Sequence, residues 1–138
     1  MHINGLHHIG VYTVDRDRSI HFYENMLGFV TTWSDDVPLP AGIFKAAMLR
    51  QGSCVIELVQ PPDASRVGTV HGPVQHIALE VDDIKEVVVA LKAKGAVFES
   101  EEITAMPEFT QCGVWHIFIK GPSGERIELV ENMPRKSM

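Results

Sequence analysis

A chain of 138 residues, 45% hydrophobic and 22% charged, is long enough to bury a core and too apolar to be disordered. Its formal net charge of -6, with no basic cluster longer than Arg135-Lys136, excludes a surface built for nucleic acid or anionic membrane. No run approaches the roughly 18 apolar residues of a membrane-spanning helix, and the first six residues lack the charge and hydropathy of a signal peptide.

The expected partner is therefore a small molecule, and the expected location is cytoplasmic. Two cysteines, Cys54 and Cys112, offer no disulfide framework and read as reduced thiols.

In chain order, the pattern predicts a strand over residues 5–13. Asp15 then caps a helix whose stripe is Ile20, Tyr23 and Leu27, and Gly28 supplies a left-handed exit. Tyr23 is expected to bury its ring and leave its hydroxyl wet. Extended runs follow at 29–34, 44–51 and 54–60, with Gly52-Ser53 turning between the last two. Residues 35–42, with Pro38 and Pro40, read as a loop. Cys54 shares its phase with Ile56 and Leu58, as a small core residue would.

A mostly polar linker covers 61–73. The second half then repeats the order: a strand at 74–81, an Asp82-Asp83 cap, and a helix bearing Ile84, Val87, Val88 and Leu91 that closes at Gly95. A short strand at 96–99 and a loop containing Met106-Pro107 come next. Strands at 114–120 and 126–131 follow, joined by Gly121-Pro122-Ser123-Gly124, and 132–138 form a tail. The fold class this implies is α+β. Two tandem βαβββ modules, about 5–60 and 74–131, share one domain over 1–138 as a curved mixed-sheet cup with helices outside.

The halves also repeat a chemical constellation. His8-Ile9-Gly10-Val11 opens the first and Ile56-Glu57-Leu58-Val59 closes it; His76-Ile77-Ala78-Leu79 opens the second and Ile127-Glu128-Leu129-Val130 closes it. Each His and each Glu opposes the aliphatic stripe of its own strand, whereas His7 carries the aliphatic phase. A mid-strand carboxylate is costly unless it faces water, a cation or a donor.

A lone strand His or Glu is ordinarily a satisfied core or surface group. Repetition at four matched positions, His8, Glu57, His76 and Glu128, points instead to metal ligation. Imidazole and carboxylate without thiolate suit a working Zn, Ni, Co, Fe or Mn ion. His116 and Phe118 have the phase of the cup, and Trp115 that of the core. His2, His21 and His71 read as solvent-facing. Met106-Pro107-Glu108-Phe109 reads equally as a lid or as plain surface.

These residues resemble the vicinal oxygen chelate superfamily, whose members include glyoxalase I, methylmalonyl-CoA epimerase, extradiol dioxygenases and drug-resistance proteins. The carriers are His8-Ile9-Gly10-Val11, Ser19-Ile20-His21-Phe22-Tyr23 leading to Leu27-Gly28-Phe29, Gln75-His76-Ile77-Ala78-Leu79 with Val81-Asp82, and Gly121-Pro122-Ser123-Gly124 before Ile127-Glu128-Leu129. The resemblance covers about 6–131. It implies one divalent ion held by His8, Glu57, His76 and Glu128, and a homodimer.

The activity it implies is that of a glyoxalase I-like lyase or isomerase, which moves a proton next to a carbonyl through a metal-stabilised enediolate. Glu128 is the expected base, with Glu57 the second candidate. The alternatives are an epimerase-like isomerase, a non-catalytic resistance-type binder, and an extradiol dioxygenase resting on His8, His76 and Glu128. Tyr12 stands where glutathione-using relatives tend to carry Arg, and Pro61 where they tend to carry Asn. The run Ile56-Glu57-Leu58-Val59-Gln60-Pro61 is more like the epimerase branch, yet Val37-Pro38-Leu39-Pro40 lacks the Glu those enzymes tend to carry.

Overall fold

The computed structural model describes residues 4, 6–65, 67–68, 74–110 and 112–135. The chain divides into two compact units, Met1–Val70 with Pro122–Gly124, and His71–Gly121 with Glu125–Met138. His2, His71 and the end of the tail lie outside the described residues.

In the first unit the order is β1 (Ile9–Tyr12), α1 (Arg16–Leu27), β2 (Val30–Leu39), β3 (Gly42–Gln51) and β4 (Cys54–Gln60). The sheet order is β1-β4-β3-β2, with β1 parallel to β4 and the other pairs antiparallel. Asp15 caps α1 by accepting from the Arg18 N–H. Gly28 exits it at φ 75, a left-handed conformation that a Cβ would strain.

Several expectations need correcting here. β2 does not stop at residue 34; it runs on to Leu39, with Val37 opposite Phe44 and Pro38 opposite Ile43. As an edge strand it tolerates a proline, whose missing N–H costs no ladder bond on the open side. The helix stripe also differs. α1 buries Ser19 and Tyr23, whereas Ile20 and Leu27 are only half-buried. Tyr23 is buried whole, edge-on to Phe29 at 5.5 Å, so its hydroxyl is not wet.

Ser19 is buried for a polar reason. Its hydroxyl lies 2.6 Å from the Thr13 hydroxyl, which lies 2.9 Å from that of Ser123. Ser123 also accepts from the Val14 N–H. Paired in this way, buried hydroxyls do not incur the cost of unsatisfied ones. Cys54 is half-buried, not a core residue; burial pushes its thiol pKa up, and both cysteines are free.

The second unit contains β5 (Ile77–Glu80), α2 (Ile84–Ala93), β6 (Val97–Phe98), β7 (Thr104–Met106), β8 (Val114–Lys120) and β9 (Arg126–Asn132). Its sheet order, β5-β9-β8-β6, repeats that of the first unit, and β5 again runs parallel to β9. Asp83 caps α2, and Ile84, Val88 and Leu91 face the core, with Val87 half-buried. The loop expected around Met106 begins with β7, which pairs with β8.

Ile117, Ile119, Ile127 and Leu129 are buried, while Trp115, expected with them, is half-buried. β1 and β5 are shorter than expected. They begin at Ile9 and Ile77, immediately after His8 and His76. Among the described residues no helix is long and apolar enough to cross a membrane.

Candidate metal centre

Each unit builds the same pair. The parallel ladder of the first sets Gly10 opposite Glu57, and that of the second sets Ala78 opposite Glu128. Two residues upstream, on the same face, stand His8 and His76. His8 Nε2 lies 3.8 Å from Glu57 Oε1, and His76 Nε2 lies 3.8 Å from Glu128 Oε1.

The other ring nitrogen is occupied in both cases, by the residue just before. His76 Nδ1 lies 2.6 Å from Gln75 Oε1, and His8 Nδ1 lies 2.8 Å from His7 Nδ1. An amide oxygen only accepts, so His76 Nδ1 carries the proton. In the neutral ring Nε2 then presents a lone pair toward a carboxylate. Two acceptors face each other unless a cation, either a proton or a metal ion, lies between them.

The second unit adds more around its carboxylate. His116 Nδ1 is 3.0 Å from Glu128 Oε2, so Glu128 has an imidazole near each oxygen. The contact has ion-pair distance but lies off the line of a hydrogen bond, and the buried His116 Nδ1 has no hydrogen-bond partner among the described residues. Phe118, directly across from Glu128, meets both imidazoles edge-on, with centroids 5.5 Å away in each case. Arg126 lies over that ring, with its guanidinium carbon 4.1 Å from the centroid. Glu99 holds its guanidinium through two bonds of 2.8 and 2.9 Å, which raises the Arg126 pKa further.

Exposure differs between the two pairs. The His8 and Glu57 side chains are 36% and 34% exposed, and His76 is 38% exposed, but Glu128 is only 18% and His116 16%. Glu128 is therefore the better shielded and more firmly bracketed of the two carboxylates.

The donor set fits a divalent ion. Metal–ligand bonds of about 2.0–2.2 Å let donors up to roughly 4.2 Å apart share one ion, so each His–Glu pair spans a workable distance. Among the described residues no group of three or more His, Cys, Asp or Glu side chains is placed to hold a metal by itself. The structure thus assembles His8 with Glu57, and His76 with Glu128. His7 and Gln75 join them in ways that strand phase does not disclose, and His116, whose phase is that of the cup, joins Glu128. His7 has the aliphatic phase, and for His7 and Gln75 the available signal is adjacency to each candidate ligand.

Residues 7–114 match the Glyoxalase/Bleomycin resistance protein/Dioxygenase superfamily, and the chain belongs to it. It is 34% identical over 127 residues to the uncharacterized protein YwbC of Bacillus subtilis, covering 90% of this chain and 94% of that one. It is 32% identical over 104 residues to the human mitochondrial methylmalonyl-CoA epimerase, covering 71% of this chain and 58% of the epimerase. Among solved structures, the trypanothione-dependent glyoxalase I of Leishmania major superposes with a TM-score of 0.72 at 26% identity, over 94% of this chain and 87% of that one. The two mixed sheets with their helices are the fold of this superfamily.

Proposed function

We propose that this chain is a metal-dependent lyase or isomerase of the glyoxalase I-like type, transferring a proton at a carbon next to a carbonyl. The observation that carries the proposal is the repeated His–Glu pair, in which Nε2 faces the carboxylate and Nδ1 is taken by the preceding residue. His8, Glu57, His76 and Glu128 would hold the ion. A divalent ion bound there would supply a Lewis acid for the carbonyl oxygen.

The remaining chemistry falls to side chains. Glu128 takes the proton from carbon and returns it to the neighbouring carbon or to the same one. Its oxygens have different neighbours, Oε1 toward His76 and Oε2 toward His116, so one can serve while the other is steadied. Glu57 is the second candidate. The superfamily match and the relatives support the fold and the reaction class, and the epimerase likeness supports a thioester as an alternative substrate. A non-catalytic binder on the same scaffold is the reading to exclude.

The test is solvent deuterium incorporation, followed by NMR, with protein loaded with Ni, Co, Zn or Mn and offered 2-oxoaldehyde hemithioacetals and 2-methyl thioesters. Exchange or turnover above the metal-free rate is the expected result. Tight binding without exchange on any metal would leave only the binder.

His116 steadies Glu128 through the 3.0 Å contact to Oε2. His116→Phe is expected to lower kcat by about 10- to 100-fold with little change in KM, as loss of a group orienting a metal ligand does. His116→Gln, which restores a nitrogen donor, should recover most of the loss. Equal kcat in all three proteins, measured on the same metal, would remove His116 from the site.

A further inference from the structure

The two units repeat one register, yet they treat the space beside the carboxylate differently. Met48 stands opposite Glu57 as Phe118 stands opposite Glu128. Two residues upstream of these, the second unit places His116 against its carboxylate, and the first unit has Ala46. At the position across the parallel ladder, Ala78 is matched by Gly10. A Cβ built on Gly10 would meet nothing nearer than Glu57 Oε1 at 4.0 Å. Small residues at both positions leave open a cavity of about 420 Å³, walled by Tyr12, Leu39, Phe44 and Ala46 with Glu57 at its side.

No Lys, Arg or His lines this cavity among the described residues, and Glu57 is its one carboxylate. The volume lies in the range of roughly 300–1,000 Å³ typical of small-molecule sites. The wall offers an anionic substituent no Lys, Arg or His in place of the water it loses, and in the metal-free chain the Glu57 carboxylate repels it, so charge is selected against. An uncharged aryl or branched alkyl group would instead cover apolar wall.

We infer that the cavity of the first unit receives an uncharged, apolar substituent of the carbonyl substrate, which points to aryl or branched-alkyl 2-oxo compounds and away from anionic conjugates. The inference rests on the proposed proton-transfer site, because Glu57 is shared by both. It also gives Gly10 and Ala46 a role in specificity, since each is small where a larger side chain would fill the cavity.

The test uses the full chain treated with chelator, so that its outcome is independent of metal binding and turnover. Binding of methyl benzoylformate, benzoylformate, methyl pyruvate and glutathione is measured by ligand-observed NMR titration. The expected result is saturable binding of methyl benzoylformate, at least about tenfold weaker binding of the others, and a similar loss for the ester in Gly10→Leu and in Ala46→Met.

Benzoylformate or glutathione binding as tightly as the ester, or both variants binding like the wild type, would overturn the inference. So would a cavity covered by a second copy, seen as a wild-type dimer and a Gly10→Leu monomer in sedimentation with no ester bound by either. Failure of the metal site appears separately, as loss of metal retention and of deuterium exchange with ester binding intact.

Discussion

Glu128→Gln is expected to lower kcat by about 10²- to 10⁴-fold, the usual contribution of a positioned general base. Gln keeps the size and planarity of the side chain, and the backbone pairing of Glu128 with Ala78 and Phe118 does not depend on the carboxylate. What is lost is the ability to accept a proton at either oxygen. The amide nitrogen would also face His76 or His116, where an oxygen stands in the wild type. Glu57→Gln should fall less in kcat, because Glu57 is more exposed and lacks a counterpart of His116. The measurement is deuterium exchange at saturating substrate on protein of matched metal content. Normal turnover by Glu128→Gln would show that Glu128 is neither base nor essential ligand, and a larger loss in Glu57→Gln would exchange the two roles.

Leu58→Ala is expected to destabilise the protein by about 2–5 kcal/mol, the range for removing a buried leucine side chain and leaving a cavity. Leu58 is fully buried in β4, the strand between β1 and β3, opposite Val11 on one side and Ala47 on the other. α1 packs against β3 and β4, so little of the surround can collapse into the space. Because Leu58 follows Glu57 directly, the same loss loosens the strand that carries a proposed ligand. Leu58→Met, which nearly conserves volume, should cost less than about 1.5 kcal/mol. Thermal unfolding followed by circular dichroism, at a fixed metal concentration, checks both. Equal midpoints for Leu58→Ala and wild type would mean that β4 is not at the centre of the core.

Much of the fold was legible because local signals and hydrophobic period agreed. Asp15 and Gly28 bracket α1, Gly52 turns β3 into β4, and β4 and β8 have the expected bounds. The second half of β2 reads as a loop because Pro38 and the Asp35-Asp36 pair carry the chemistry of one. Their tolerance in an edge strand depends on sheet order, which no local pattern records. Ser19 and Ser123 were invisible as core residues for a related reason. A buried hydroxyl is recognisable only once its partner, here Thr13, is in place.

At the site, alternation put each His and Glu on one face of its strands, and the structure places them together as His–Glu pairs. What alternation could not supply was reach. His116 is paired across the ladder with Val130, yet its ring nitrogen lies against Glu128, one pleat away. The lone Gly10 and Ala46 likewise carry no signal until the registers of the two halves are compared.

Metal content decides whether His8, Glu57, His76 and Glu128 hold an ion. The chain would be stripped with chelator, reloaded separately with Ni, Co, Zn, Mn or Fe(II), desalted and measured by mass spectrometry beside His76→Ala. About one retained ion per wild-type chain, falling to background in His76→Ala while the variant keeps its circular dichroism spectrum, is the predicted result. A wild-type chain that retains none of these ions, or a variant that retains as much as the wild type, would contradict it.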